Sequence, residues 1–418
     1  MRVLMMTTPM PTHLPPMVPL AWALRAAGHE VLVAGQPDVQ DMAHAAGLDS
    51  VCVGGWFHHN DWLEPYLPPG VRPLQALGRD NRMALAGNAK AVAVHARYLI
   101  PAYLEVARDW RPDLVVGEQL DFAAPVVAGV LGVPSVRHRW GVDPLSGPAR
   151  PIAEVFLDGL CRRLGLDGLP EPTLVLDPCP PVLQVPDAAP GTPIRFVAFN
   201  GRGTRPEWVR RRRAARRVCV TFGQQTLLLN GMPLLRHVLA AFDGLPDTEA
   251  VVTVDPSLQP RLGDLPDAVR VVDPTPLSLF LDTCDVIVHH GGCGTAMTAT
   301  AAGLPQLVLP QIMDQFAAGD AVAAVGAGIG VERAADQDDP RRVREALGAL
   351  LAEDGYRAAA AELAAVVRRM PSPARVAADL EQLVAGATGS TGAAGAAGSA
   401  GAAGIGESER TEESGCVS

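Results

Sequence analysis

A chain of 418 residues is too long for one ordinary hydrophobic core and predicts two domains, and an apolar content of 48% can fill both. A formal charge of −10, from 35 basic against 45 acidic residues, disfavours nucleic acid as a partner. No basic and apolar leader opens the chain and no apolar run is long enough to span a bilayer, so a cytoplasmic protein that is not membrane-bound is expected. The seven cysteines have no C-x-x-C spacing, which predicts reduced thiols.

The segments alternate strand and helix in both halves, the signature of parallel sheets flanked by helices. Val3-Leu-Met-Met reads as a buried strand. Met17, Leu20, Ala21 and Leu24 follow at helical spacing, Gly28 ends that helix, and Val31-Leu-Val opens the next strand. The turn after the first strand contains no glycine, so the G-x-G-x-x-G of a dinucleotide site is missing and NAD is disfavoured. It contains instead His13, in a proline-studded loop at a strand end, where open α/β sheets bind ligands. A histidine there can take a proton at neutral pH, or it can cap the helix or bond a loop carbonyl.

Trp56, Phe57, Trp62 and Tyr66 cluster in a segment of poor periodicity before a predicted helix near 88–106. Together with Trp140 they suit a flat apolar ligand, although packing a loop onto the domain would use aromatics equally well. Leu114-Val-Val predicts a strand ending at Glu118, with Asp121 just beyond and a helix from Pro125 to Leu131. Either acid could orient His13 or cap that helix. Asp143 stands before Pro144, a common turn position. A bridge rich in proline and arginine, about 187–217, separates the halves, and its run Arg210-Arg-Arg-Arg213 with Arg216 and Arg217 reads as a solvated linker face. Strands are predicted again at Val218-Cys-Val-Thr, Ala250-Val-Val-Thr and Val269-Arg-Val-Val.

The most telling stretch is Val286-Ile-Val-His289-His290-Gly-Gly-Cys-Gly-Thr295, continuing through Gly303-Leu-Pro305 to Pro310-Gln-Ile-Met-Asp314-Gln315. It predicts a strand, a glycine turn, a small-residue helix and a second strand ending in Asp314-Gln315. Glycines let the backbone approach a ligand closely, and a helix N-terminus with bare N–H groups is an anion site. His289, His290, Gly292, Cys293, Gly294 and Thr295 are therefore the expected contacts of a diphosphate. Asp314 and Gln315 are placed to hold hydroxyls of an attached sugar, or to cap a helix. A zinc site at His289, His290 and Cys293 is disfavoured, because adjacent strand histidines point apart and no further ligand has matching spacing. Asp336-Gln-Asp338 has D-x-D metal spacing, but Asp339-Pro340 follows at once and predicts a helix cap.

This donor stretch resembles that of antibiotic-tailoring glycosyltransferases, which share the two-domain GT-B fold. The first forty residues, His138-Arg-Trp-Gly-Val-Asp143-Pro and Leu176-Asp-Pro-Cys-Pro-Pro181 extend the resemblance to polyketide glycosyltransferases that use deoxysugar nucleotides. It implies two Rossmann-like domains facing each other across a cleft: 1–205 for the acceptor, 206–385 for the nucleotide-sugar, and 386–418 as a disordered low-complexity tail. It further implies inverting transfer without a metal or other cofactor, from a dTDP- or UDP-sugar to a polyketide-type acceptor. His13 falls at the family's base position, Glu118 where relatives often carry Asp, and Asp143 in a region where C-glycosylating relatives use an acid. Thr275, in Asp273-Pro-Thr-Pro-Leu277, is expected to read the nucleotide base through its main chain, with Gly223 and Gln224 close to the nucleotide. A homodimer is compatible with the chain. Two rivals remain: an epimerase-like enzyme on the same fold, and a non-catalytic activator of another glycosyltransferase.

Overall fold

The computed structural model describes residues 1–58, 61, 63–79 and 82–397. Two wholly parallel sheets form two domains. The first has the order β3-β2-β1-β4-β5-β6-β7, with β1 Arg2–Met6, β2 Glu30–Gly35, β3 Asp49–Cys52, β4 Leu114–Glu118, β5 Ser135–His138, β6 Leu174–Asp177 and β7 Thr192–Pro193. The second has the order β10-β9-β8-β11-β12-β13, with β8 Arg216–Thr221, β9 Thr248–Thr253, β10 Val269–Val272, β11 Val286–His289, β12 Gln306–Val308 and β13 Gly328–Gly330.

The central strands β1, β4, β8 and β11 bury both faces, which is why they read as continuous apolar runs rather than alternating ones. In β1, Leu4 and Met6 join one core while Val3 and Met5 join the core on the opposite side. In β8, Val218 and Val220 point one way and Cys219 the other. The predicted helices appear with wider bounds, Ala123–Leu131 and Arg82–Trp110. Asp339 caps the helix Pro340–Ala352 by accepting from the Arg341 N–H at 3.0 Å, so the D-x-D spacing marks a helix start. No described helix is long and apolar enough to cross a membrane.

Three expectations need correction. The helix Pro373–Ala397 carries the chain past the boundary set at 385. Its Val376, Ala377 and Leu380 are buried in the core of the first domain, although the stretch up to 385 was expected in the second. Asp314 does not end a strand: β12 stops at Val308, and Asp314 opens the helix Asp314–Ala324. Arg217 is not part of a solvated face either. It is fully buried, 2.8 Å from Glu249, and lies against the Trp208 ring.

Candidate active site

The register of β1 beside β4 pairs Met6 with Gly117, and this brings the loop after β1 alongside Glu118 at the end of β4. His13 sits there in a 3-10 turn, Pro11–His13, whose proline restricts the loop. Its Nδ1 lies 2.7 Å from Thr8 Oγ1 and 3.3 Å from Glu118 Oε1. Thr8 Oγ1 is 2.6 Å from the same carboxylate oxygen. Glu118 accepts the Thr8 proton, so Thr8 in turn accepts from His13 Nδ1–H, which leaves Nε2 as the ring nitrogen open to a ligand. The Trp140 ring packs against the imidazole with centroids 3.8 Å apart. Thr8 had escaped the sequence reading, although a hydroxyl between a strand end and a loop histidine is a usable signal.

Glu118 is completely buried. Burial by itself would raise its carboxyl, but the charge and hydrogen bond of His13, the Thr8 hydroxyl and the Leu120 N–H together hold it below the ordinary value. Asp121 is not the partner of His13. Its Oδ1 accepts the Ala123 and Ala124 N–H groups at 2.8 and 3.3 Å, at the start of the following helix. Burial and the neighbouring Glu118 charge push its carboxyl up to about 7.

Asp143 is also committed elsewhere. It accepts from Gln119 at 2.8 Å, from Arg139 Nε at 2.9 Å, and from the Leu145 and Ser146 N–H groups that begin the helix Ser146–Arg163. The Ser146 hydroxyl donates to it as well. With both oxygens engaged, the acid role implied by C-glycosylating relatives has no free atom to act through.

Across the cleft the glycine turn is shaped by close contacts. Gly291 has φ +92, and a Cβ there would lie 2.7 Å from the Gln315 carbonyl oxygen. A Cβ on Gly292 would lie 2.5 Å from His290 Nε2. The helix Cys293–Ala302 starts at once, and its first N–H groups have no preceding turn to bond. His289 is fully buried and accepts the Gly291 N–H on Nδ1 at 3.0 Å. Its Nε2 meets Gln306 Oε1 at 2.9 Å, so His289 braces the turn and has no nitrogen left for a phosphate. That also removes it from any zinc set; among the described residues, no group of three or more His, Cys, Asp or Glu could hold a metal.

His290, Gly292, Cys293, Gly294, Thr295, Asp314 and Gln315 do line one cavity, together with His13 and Trp140. Burial lowers His290 to about 4, so its ring is neutral. The Cys293 thiol donates to Asp314 Oδ2 at 3.3 Å. The cavity continues past Gly223 and Gln224 to Pro274, Thr275 and Pro276, and there the linker residues Asn200 and Arg202 line it too. Neither linker residue had a sequence signal. On the other side His13 and Trp140 open into a largely apolar cavity with Phe57, Leu63, Val92, Leu145 and Leu229. Trp56 does not reach it: it is 64% exposed and stacks on His58. Trp62 and the side chain of Tyr66 lie outside the described residues.

Comparison with known proteins gives the chain's family. Residues 22–223 match the N-terminal domain of the erythromycin biosynthesis protein CIII-like family, and residues 236–383 its C-terminal domain. The L-demethylnoviosyl transferase of Streptomyces niveus is 38% identical over 91% of this chain and 97% of its own. Tylactone mycaminosyltransferase of Streptomyces fradiae is 34% identical over 92% of this chain and 93% of its own. The structure of spinosyn rhamnosyltransferase SpnG superimposes with a TM-score of 0.82 at 42% identity, covering 91% of this chain and 100% of that one. Structures of that enzyme with thymidine diphosphate and with spinosyn aglycone match as well. Two parallel-sheet domains about a shared cleft, together with this kinship, identify the chain as a glycosyltransferase of the GT-B fold that belongs to the erythromycin biosynthesis protein CIII-like family.

Proposed function

We propose that the chain moves a deoxysugar from a dTDP-sugar to a hydroxyl of an apolar, polyketide-type acceptor, with inversion at the anomeric carbon. The observation that carries this reading is the Thr8–Glu118–His13 relay at the junction of the two cavities. His13 Nε2 takes the acceptor proton as the oxygen attacks the face opposite the diphosphate. The imidazolium that forms is stabilised by Glu118, one hydrogen bond away. The leaving diphosphate gathers charge beside the N-terminus of the helix Cys293–Ala302 and His290, where fixed dipoles favour it without a metal. Asp314 and Gln315 hold sugar hydroxyls. Transfer to oxygen is favoured over transfer to carbon because Asp143 is consumed by its cap and ion pair. Thymidine diphosphate is favoured over UDP because it is the nucleotide seen in the matching structures of related enzymes.

Calorimetry with dTDP and turnover of dTDP-deoxysugars against a set of polyketide aglycones test this reading. His13→Ala is expected to bind dTDP as tightly as the parent while transfer falls by roughly 10²–10⁴-fold. Full transfer by His13→Ala would remove the base assignment. Failure of the parent to bind dTDP would remove the donor site.

A further inference from the structure

The acceptor cavity is walled on one side by a segment that belongs to the first domain by sequence and to the second by its hydrogen bonds. Arg72 immediately precedes the short helix Pro73–Leu77, and Pro73 lines the cavity. Arg72 is buried at 3% exposure. One guanidinium nitrogen lies 2.7 and 3.0 Å from the two Asp338 oxygens. The other lies 3.2 Å from both Gln337 Oε1 and the Ala334 carbonyl oxygen. Nearby, Asn230 donates to the Val71 carbonyl oxygen at 2.9 Å, and Arg79 pairs with Asp320 and Glu332. Every one of these partners from the second domain stands in or beside the donor half.

Gln337 makes this more than a docking contact. It is fully buried, and its Oε1 also accepts from Gln311 Nε2 at 2.8 Å. Its Nε2 donates to the Pro310 and Val331 carbonyl oxygens at 3.1 and 2.7 Å. Gln315 Oε1 accepts the backbone N–H groups of Gln311 and Ile312 at 2.9 and 3.2 Å. An unbroken line of hydrogen bonds thus runs from the acceptor-side segment to the turn that faces the donor. Within that turn Met313 holds φ 46 and ψ −119, a left-handed conformation that a non-glycine residue keeps only when its surroundings fix it.

We infer that Arg72 is a positioning residue that couples the two substrates' walls: it holds Pro73 against the acceptor cavity and, through Gln337, sets the Asp314–Gln315 turn. Filling the donor cavity is then felt at residues 68–79, none of which lines that cavity. The inference rests on the proposal that this cleft binds a nucleoside diphosphate. Lysine discriminates the two arms, because one ammonium can keep Asp338 but cannot also serve Gln337 as a planar fork does.

The test is amide hydrogen exchange with and without dTDP on the intact chain, Arg72→Lys and Arg72→Met. In all three, dTDP is expected to slow exchange at residues 292–296, which shows that each is folded and loaded. Only in the parent is it expected to slow residues 68–79, by about 5-fold or more, the scale of an ordinary coupling between sites. Without nucleotide, Arg72→Lys is expected to keep segment 68–79 as protected as the parent, and Arg72→Met to lose that protection. If dTDP protects 292–296 in the parent and leaves 68–79 unchanged, the coupling is wrong and the donor site stands. Transmission by either variant as in the parent would overturn the Gln337 link. If dTDP protects nothing in the parent, the donor reading falls and this inference falls with it.

Discussion

Glu118 carries its charge in a fully buried position, and it can do so because three donors and an imidazole surround it. Three residues on, Asp121 lacks that company: its Oδ2 is buried without a hydrogen-bond partner and its carboxyl titrates near 7. The two acids that looked equivalent in the sequence are therefore divided by their donors, one held ionised beside His13 and one pushed up to about 7 at a helix start. Glu118→Gln removes the charge that steadies the imidazolium and is expected to cut turnover by roughly 10²-fold or more while leaving dTDP affinity intact, read by paired kinetics and calorimetry. For Asp121, both folded and unfolded carboxyls are neutral below its ordinary value of 3.8. Above that pH the unfolded group ionises first, so this residue lowers stability as pH rises towards about 7 and adds no further change beyond it. Asp121→Asn is expected to erase that component, so its melting temperature gains on the parent by several degrees between about pH 4 and 7, as thermal unfolding across pH would show. Sequence placement alone paired His13 with Glu118, and the two side chains do meet, at 3.3 Å. It could not find Thr8 as the link or Asp143 as a cap, since both roles depend on which donors converge in space.

At the scale of elements, the long apolar strands and the glycine turn were legible because their composition leaves few alternatives. The turn shows why. Gly291 needs a left-handed φ, and a side chain there would strike the carbonyl of Gln315. Gly291→Ala is expected to weaken dTDP binding by about 10-fold or more and to lower the melting temperature, since strain and a backbone clash add. Unchanged affinity in calorimetry would show that the turn gives way without disturbing the nucleotide. The short strands β3, β6, β7 and β13 were less legible, for they have few residues each and are defined by pairing with neighbours rather than by pattern. His289 illustrates the same limit. Its position beside His290 marks both as ligand candidates, yet one ring braces the turn through Gln306 and the other lines the cavity. Alternation along a strand separates adjacent side chains, but it does not say which face holds the ligand.

For the whole molecule, the count of two domains followed from length and the repeated strand–helix order, whereas the way they are joined did not. Charge pairs such as Arg72 with Asp338 link positions hundreds of residues apart, and no local signal marks them. The returning helix Pro373–Ala397 is the clearest case, since it follows the second domain in sequence and packs into the first. Val376 and Leu380 contribute about 1.5–3 kcal/mol each by burial, and Glu381 reaches His29 at 2.7 Å. Ending the chain after Met370 is therefore expected to lower the unfolding temperature of the first domain more than that of the second, which calorimetric scanning can resolve. The two passages of backbone between the domains also run side by side: the Arg195 N–H meets the Pro371 carbonyl oxygen at 2.7 Å, and Arg195 Nε reaches the Met370 carbonyl oxygen at 3.2 Å. A single tether would leave one domain free to swivel about a point. Two tethers bonded to one another resist twisting and leave bending as the softer direction, the constraint of a paired hinge. A constraint of that kind favours one mutual alignment of His13 and the turn at Gly292–Thr295.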